Sequence, residues 1–255
     1  MSAFIRFSTD TAAATPAAKT ARSLPPKFEM KACETQAERR SAFQLVYESY
    51  RRAGLIPDNQ MQMRVLEQHL VDTTDLMVAK QDNKVCFTVT LVRDGLYGMP
   101  AESLFGKEID AMRRNGLRLA EVSCVAGDCE KEDKRQRFDT LVKMISLTIQ
   151  AARRRDVDRL LLAVHPRHAK VYQRLFGCKI CTDVRDYDAV QGNPAVLCTH
   201  DFKELDETGY SLSEKVYGTE FSPWQLDGTR MTAAEKAYFA QAVSQQKPRL
   251  VTMAA

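Results

Sequence analysis

Apolar residues recur at three- and four-residue spacing in six segments of the chain, which is the pattern of helices with one buried face. Thr35 and Gly54 bound the first segment as residues that cap and end helices. The second follows the break at Pro57, with Asp58 placed to cap it. The last opens on Thr232-Ala-Ala-Glu235, a capping-box pattern. The predicted helices are residues 35–53, 58–70, 104–112, 138–152, 168–176 and a last one from 232 onward.

Between these helices lie short apolar runs without helical spacing, which are typical of strands. The first two runs are joined by Asp82-Asn83, the residue types of a tight hairpin, so we expect an antiparallel pair. The run 159–164 is almost entirely apolar, as a strand buried on both faces requires. The predicted strands are residues 76–80, 85–93, 117–126, 159–164, 179–184 and 195–199. This order of helices and strands predicts a mixed α/β (α+β) layered fold.

The two ends of the chain differ from its middle. Residues 1–27 have no hydrophobic period and little to bury, so we expect a disordered tail before the main domain, residues 28–200. Residues 201–255 are expected to form a C-terminal extension that packs on this domain through its last helix.

The composition restricts the classes of protein to which this chain can belong. The 255 residues are 44% hydrophobic and 27% charged, which is typical of a soluble globular protein. The sequence contains neither an apolar run of bilayer-spanning length nor a secretory leader, so we expect a cytoplasmic protein without an integral membrane segment. Seven cysteines, an odd number, favour a reducing compartment over a disulfide framework.

Positive charge is concentrated in the middle of the chain. The formal net charge of the whole chain is +4, which is too small to indicate nucleic-acid binding. Residues 107–179, however, hold seventeen basic and ten acidic side chains, a net charge of +7. Such a surface steers an acidic partner toward the chain. We therefore expect an acidic protein partner and no nucleic acid.

One carboxylate stands inside an apolar strand. Glu121 lies in the predicted strand 117–126, where an unpaired charge is costly unless it is solvated, hydrogen-bonded or protonated. A glutamate with a raised pKa can act as a general base. The alternative is a buried salt bridge to Arg93 or Arg118, and the sequence leaves both interpretations open.

Two further groups have the residue types of functional sites. His165 directly follows the apolar run 159–164, at the end of a strand where α/β proteins place ligands, and imidazole titrates near neutrality. Cys178 and Cys181 have the spacing of half a zinc site, but the sequence offers no second pair at ligand spacing. Three-residue spacing in a strand also directs two thiols to opposite faces. We therefore predict no metal site.

The stretch from His165 to Gly177 resembles a motif of the GNAT (GCN5-related N-acyltransferase) superfamily, Asn-x-x-Ala-x-x-x-Tyr-x-x-x-Gly. Tyr172 and Gly177 match this motif, with one extra residue before the glycine, and His165 occupies the asparagine position. A second set of residues resembles the N-acyl amino acid synthase family of the FeeM type, which is related to acyl-homoserine-lactone synthases. That set comprises Val92-Arg-Asp-Gly-Leu-Tyr-Gly-Met-Pro100, Phe105, Glu108, Arg113–Gly116 and Leu119-Ala-Glu-Val-Ser123. The resemblance covers roughly residues 28–199.

This resemblance implies a fold and an activity. The implied fold is a GNAT-like mixed, mostly antiparallel sheet with a parallel, splayed pair of strands, flanked by helices. The implied activity is transfer of a fatty acyl group from acyl carrier protein to the amino group of an amino acid or related amine. The acyl-phosphopantetheine of the carrier protein is then the donor substrate, and no cofactor is expected to be bound.

The resemblance also implies roles for individual residues. Glu121 would take the proton of the acceptor amine. Tyr172, helped by His165, would protonate the leaving thiol, although the ring of Tyr172 could equally pack in the core beside Leu175. The expected acyl or pantetheine contacts are Ser123, Cys124, Val125, Ala126 and Val164. The expected carrier-protein docking residues are Arg135, Arg137, Arg167 and Arg174, and the expected acceptor contacts are Arg93 and Arg118.

Three other functions compete with this one. An acyl-homoserine-lactone synthase shares the fold and the donor, but its Trp-Glu-x-x-Arg pattern is Ala-Glu-Val-Ser at residues 120–123 here. A GNAT-like protein that binds acyl chains without catalysis would use the same cleft. An acetyl-CoA enzyme is disfavoured, because charged residues 131–137 replace the glycine-rich loop that wraps a pyrophosphate.

Overall fold

The computed structural model describes residues 28–128 and 133–244, so the predicted tail at 1–27 lies outside the described residues. The strands are β1 (Phe28–Ala32), β2 (Thr74–Gln81), β3 (Lys84–Arg93), β4 (Leu119–Gly127), β5 (Arg159–Val164), β6 (Lys179–Ile180), β7 (Arg185–Tyr187) and β8 (Asn193–Asp201). The helices are α1 (Gln36–Arg52), α2 (Glu102–Arg114), α3 (Lys134–Arg154), α4 (Pro166–Phe176), α5 (Phe202–Thr208), α6 (Ser213–Gly218), α7 (Pro223–Leu226) and α8 (Ala233–Ser244).

Local sequence signals account for several of these boundaries. Thr35 caps α1 and forms a reciprocal capping box with Glu38. Asp82 (φ 50°) and Asn83 (φ 66°) both adopt the left-handed region, as the two-residue turn of the β2–β3 hairpin requires. Gly177 (φ 66°) ends α4 in the same region, where a side chain would be strained. The predictions of helix α1, the hairpin and helix α4 are confirmed.

The sheet is mixed, as predicted. Its strand order is β1-β2-β3-β4-β5-β8-β6, and β7 also pairs with β8. Only β4 and β5 are parallel neighbours among the described strands, and their ladder has three pairs, from Leu119 with Arg159 to Glu121 with Leu161. Beyond Glu121 the two strands diverge, while β4 remains paired with β3 and β5 with β8. The sheet therefore opens between β4 and β5 just past Glu121.

Helices cover both faces of the sheet. On one face α3 and α4 pack on side chains such as Val122, Leu160 and Leu162. On the other face α1 and α2 pack on side chains such as Leu161 and Ala163. The alternation along each strand assigns successive residues to opposite faces. None of the described helices is both long and apolar enough to cross a membrane.

A β-bulge interrupts this alternation in β4. The register with β3 passes from Ser123 opposite Thr90 to Ala126 opposite Thr88, so it skips Cys124 and Val125. Cys124 has a φ of 50°, which is uncommon for a residue with a side chain. An extra residue at a bulge redirects the side chains that follow it.

Three sequence predictions differ from the structure. The predicted helix 58–70 is wrong, because only a short 3-10 helix, Glu67–Leu70, forms there. Asp58 accepts hydrogen bonds from Tyr47 Oη at 2.6 Å and Arg51 Nη2 at 2.7 Å instead of capping a helix. The predicted strand 179–184 is limited to the two residues of β6. Strand β1 carries a weak apolar signal and was not predicted.

The C-terminal helix α8 contacts α1 and the segment before β2. Thr232 and Glu235 form the expected capping box, with Glu235 N donating to Thr232 Oγ1 at 3.2 Å. Phe239 is fully buried and contacts Phe43 of α1 edge-to-face, with ring centroids 5.1 Å apart. Phe43 in turn stacks on His69 at 5.4 Å. Helix α8 therefore covers α1 and the segment that precedes β2.

Candidate active site

Glu121 on β4 is the buried carboxylate that the sequence singles out, and it is only 1% exposed. Its Oε2 accepts a hydrogen bond from Ala101 N at 2.7 Å, while Oε1 has no hydrogen-bond partner among the described residues. Burial raises the pKa of Glu121 from its ordinary 4.5 to about 7. The carboxyl group therefore exchanges its proton near neutral pH, as a general base must.

Among the described residues, neither Arg93 nor Arg118 forms the alternative salt bridge to Glu121. Arg93 Nε lies 3.5 Å from Asp75 Oδ2, and Arg118 Nη2 lies 2.8 Å from Asp158 Oδ1. The structure thus gives both arginines other acidic partners. Neither arginine lines the cavity next to Glu121, so their predicted contact with an acceptor finds no support in the geometry.

A cavity of about 200 Å³, lined by both polar and apolar side chains, lies on the α1/α2 face of the sheet, and its lining includes Ser123, two residues after Glu121 on the same strand. Pro100 lines it, and the following residue, Ala101, donates its N–H to Glu121. Tyr187 Oη donates to Pro100 O at 2.8 Å, which ties the cavity wall to the same turn. The cavity is lined by Tyr50, Arg64, Leu66, Gln68, Pro100, Ser103, Ser123, Cys124, Tyr187, Ala189 and Val190.

The bulge in β4 shapes this cavity. In a regular strand Ser123 and Cys124 would point to opposite faces, but here both line the cavity. Cys124 Sγ lies 4.0 Å from Nε2 of the buried His69, whose Nδ1 accepts from Leu66 N at 3.2 Å. Burial lowers the pKa of His69 to about 3, so the ring is neutral and its proton is on Nε2. His69 therefore supports the cavity wall as a hydrogen-bond donor.

Tyr172 lies on the opposite face of the sheet. It is 9% exposed and its ring centroid is 6.1 Å from that of Phe176. With Val122 of β4 and Leu162 of β5 it lines an apolar pocket beneath α3 and α4. The pocket therefore reaches both strands that diverge past Glu121, and its volume is about 20 Å³. Val125 and Val164 belong to the same apolar cluster, whereas Ala126 lies on the α1/α2 side.

His165 occupies the N-cap of α4. Its Nδ1 accepts a hydrogen bond from Arg167 N at 3.1 Å, which gives the imidazole a structural role at the helix start. Burial, reinforced by the positive charge of Arg167, lowers the pKa of His165. The neutral ring then carries its proton on Nε2 and can donate a hydrogen bond there.

The predicted docking arginines lie on two helices that begin at the same edge of the sheet. Because β4 and β5 are parallel, the helices that follow them, α3 and α4, both start at the carboxyl ends of these strands. Arg135 and Arg137 are in the first turn of α3, and Arg167 is in the first turn of α4. Arg174 lies two turns further along α4 and is exposed, like Arg135 and Arg167.

The N-terminus of α3 carries a carboxylate. Asp133 caps the helix, its side chain accepting from Gln136 N at 2.8 Å, and Gln136 Oε1 accepts from Asp133 N at 3.2 Å. A capping carboxylate satisfies the helix N-terminus that would otherwise attract a phosphate. Part of the preceding charged segment, residues 129–132, lies outside the described residues.

Of the eleven residues that line the cavity, the sequence analysis named only Ser123 and Cys124 as site residues, and it missed Tyr50, Arg64 and Tyr187 among the others. Tyr50 lies within the predicted helix 35–53, and Tyr187 lies in a strand that was not predicted. Arg64 carried the clearest signal, because it is a cation between two buried apolar residues, Met63 and Val65. These side chains come from distant parts of the chain and meet only in the folded protein.

Similar structures share this fold at low sequence identity. FeeM, an N-acyl amino acid synthase from uncultured soil microbes, has a TM-score of 0.63 and 19% identity over 75% of this chain and 99% of that chain. The CoA-dependent acyl-homoserine lactone synthase BjaI has a TM-score of 0.56 and 10% identity over 84% of this chain and 100% of that chain. The AHL synthase LasI has a TM-score of 0.52 and 10% identity over 78% of this chain and 98% of that chain. These structures share a GNAT-like mixed fold with this chain, in which the buried Glu121 lies where β4 and β5 diverge.

A family model gives the narrower assignment. Residues 41–201 match the model of the N-acyl amino acid synthase FeeM. The chain therefore belongs to the FeeM N-acyl amino acid synthase family and is an acyltransferase. The match spans α1 to β8 and includes Glu121 and every residue that lines the cavity. No curated protein matches the chain.

Proposed function

We propose that this enzyme transfers a fatty acyl group from acyl carrier protein to the amino group of an amino acid. The observation that carries the proposal is the position of Glu121. Its carboxyl group is buried where the β4–β5 ladder ends, has one oxygen without a described hydrogen-bond partner, and accepts from Ala101 N, the residue after Pro100 of the cavity lining. An acyl chain would lie on the other face against apolar side chains of β4, β5 and α4, which must separate to widen a pocket of about 20 Å³.

Glu121 acts as the general base in this reaction. An amino acid arrives mostly as an ammonium ion, and the nitrogen attacks a thioester carbonyl only after losing a proton. A carboxylate with a pKa of about 7 accepts that proton at neutral pH. The amine nitrogen then forms the C–N bond, and the carbonyl oxygen becomes an oxyanion.

Backbone amides of the bulge stabilise this oxyanion. Cys124 and Val125 are skipped in the register with β3, so we assign their region of β4, Cys124 to Ala126, as the oxyanion-binding segment. Collapse of the intermediate breaks the C–S bond and releases the pantetheine thiolate. The hydroxyl of Tyr172 gives this thiolate a proton and regains one from the nitrogen, which loses its second proton as the amide forms. The neutral ring of His165 donates a hydrogen bond from Nε2.

A carrier protein suits the entrance of the cleft better than coenzyme A does. The capping carboxylate of Asp133 repels a pyrophosphate from the start of α3. The exposed Arg135, Arg167 and Arg174 instead offer positive charge to an acidic protein surface. Phosphopantetheine would then enter between β4 and β5.

Expression in a bacterium rich in acyl carrier protein tests the activity. Lipid extracts of cells that make the wild-type chain are compared by mass spectrometry with extracts of cells that make Glu121→Gln. We expect new masses of fatty acid plus amino acid minus water, and their loss in the variant. Melting curves of both purified proteins establish that the variant is folded.

The donor is tested with purified protein. Acyl carrier protein and coenzyme A loaded with the same acyl chain are supplied in parallel with the identified acceptor. Faster turnover of the carrier-bound chain is expected, and a preference for coenzyme A would refute this part of the proposal. New masses of acyl-homoserine lactones would instead identify a lactone synthase, and bound fatty acid without any product would identify a binding protein.

A further inference from the structure

Among the described residues, one positively charged side chain lines the cavity beside Glu121. Of the eleven described residues that line it, only Arg64 carries a formal charge. The carboxyl group of Glu121 accepts from Ala101 N, and Ala101 directly follows Pro100, which lines the cavity. Two buried hydroxyls in the lining, Tyr50 Oη and Ser123 Oγ, have no hydrogen-bond partner among the described residues. The cavity therefore combines a cation, an adjacent carboxyl group and polar groups that a ligand could satisfy.

The fold holds the guanidinium of Arg64 at this wall. The backbone N of Arg64 donates to Phe43 O at 3.1 Å, which fixes the segment against α1. Its Nη2 donates to Ala189 O at 3.3 Å, and its Cζ lies 5.6 Å from the centroid of the Tyr50 ring. A guanidinium has five N–H donors in one plane, so it can bind a carbonyl and a carboxylate at once.

Tyr50 supports the same binding site. It is 1% exposed, and burial raises the pKa of its phenol well above the ordinary 10. The hydroxyl therefore stays protonated and can donate a hydrogen bond to an anion in the cavity. A buried hydroxyl without a partner is costly unless a ligand or water satisfies it.

We infer that Arg64 and the hydroxyl of Tyr50 bind the α-carboxylate of the acceptor, so that the enzyme selects α-amino acids over amines that lack this group. The inference rests on the proposed function and adds the group that anchors the acceptor. An α-amino acid carries an ammonium and a carboxylate on one carbon, which matches a cavity with Glu121 on one side and Arg64 on its lining. Arg64 positions the acceptor, and Glu121 takes its proton.

Acceptor kinetics test this inference directly. The twenty common L-amino acids are screened first, and the best acceptor is compared with its own primary amide, which keeps the amine and removes the charge. We expect Arg64→Gln to raise KM for the amino acid about 10- to 100-fold, the range for a lost hydrogen bond to a charged group, and to change KM for the amide much less. Arg64→Lys should fall between the wild type and Arg64→Gln.

Two further variants serve as comparisons. Arg40→Gln removes an exposed arginine of α1 outside the cavity and should leave both KM values unchanged. Arg118→Gln tests the rival anchor that the sequence suggested. A selective rise of KM in Arg118→Gln but not in Arg64→Gln would overturn the inference, as would equal losses for acid and amide in Arg64→Gln.

Binding measured without turnover separates this inference from the proposed function. Each of the twenty L-amino acids and the amide of the best binder are added to wild type, Arg64→Gln and Arg64→Lys, and thermal shifts are recorded. Binding of the acid but not the amide, lost in Arg64→Gln and retained in part in Arg64→Lys, supports the anchor even if the acyl donor is another thioester. Equal binding of acid and amide, or binding unaffected by Arg64→Gln, would overturn it. Acyl transfer to amino acids with unchanged KM in Arg64→Gln would leave the proposed function intact and refute Arg64 alone.

Discussion

Burial of the Glu121 carboxyl makes the stability of this protein depend on pH. The pKa of Glu121 rises from its ordinary 4.5 to about 7 because burial penalises the charged form. Between these two values the folded protein binds more protons than the unfolded chain. The free energy of unfolding therefore falls as pH rises from about 4.5 to about 7, and stays lower above that range.

The size of the effect follows from the same two values. Each pH unit of difference corresponds to 1.36 kcal/mol, so ionised Glu121 lowers the free energy of unfolding by about 3 kcal/mol at pH 8. Glu121→Gln removes the charge and keeps an oxygen that can accept from Ala101 N. The variant should exceed the wild type by about 1 kcal/mol or less at pH 5 and by about 3 kcal/mol at pH 8.

Urea unfolding followed by circular dichroism at pH 5, 6, 7 and 8 measures this difference. Subtracting the two proteins at each pH cancels the titration of the other groups. Glu48→Gln, which removes an exposed carboxyl group of α1, is the matched control. A flat difference for Glu121→Gln would refute the argument that Glu121 is desolvated.

The titration of Glu121 should also set the pH dependence of the reaction rate. If Glu121 is the base, kcat/KM for acyl transfer should rise with pH through a midpoint near 7. Glu121→Gln should lower kcat/KM by about 100-fold or more, the range expected for loss of a general base. A stable variant with full activity would show that Glu121 does not take the proton.

Two further predictions concern side chains on the other elements. If the hydroxyl of Tyr172 protonates the thiolate, Tyr172→Phe should lower kcat about tenfold or more and change the melting temperature by no more than a few degrees. An unchanged kcat would mean that Tyr172 serves only in packing. Phe239→Ala should lower the free energy of unfolding by about 3–5 kcal/mol, since Phe239 is fully buried against Phe43. The exposed Gln241→Ala is its control, and equal stability of the two variants in urea unfolding would mean that α8 does not pack on the domain.

Much of the fold could be predicted from local pattern. Helix α1, the β2–β3 hairpin and the strands β4 and β5 follow from apolar spacing and from residues such as Gly54 and Asp82 that end elements or form turns. These signals are local, because each element buries one face and must end where its backbone can turn. The FeeM family was also recognisable from residues near Glu121.

The segment before β2 shows why a local pattern can mislead. Met61, Val65 and Leu66 fit helical spacing, but in the structure Met63 and Val65 are buried on either side of a half-buried Arg64. Burial that alternates in this way belongs to extended chain, in which successive side chains point to opposite sides. The contacts with α1 decide the conformation, and no window of sequence contains both partners.

The sequence by itself determined the layered fold, the family and the candidate base, since a glutamate within an apolar strand is visible as a break in the pattern. The tertiary structure decided what surrounds that base. The bulge at Cys124 directs two successive side chains into one cavity, which Tyr50 of α1, Arg64 of the loop before β2 and Tyr187 of β7 also line. Strand alternation and charge can be read along the chain, but a cavity depends on which distant segments pack together, and that is set by long-range contacts.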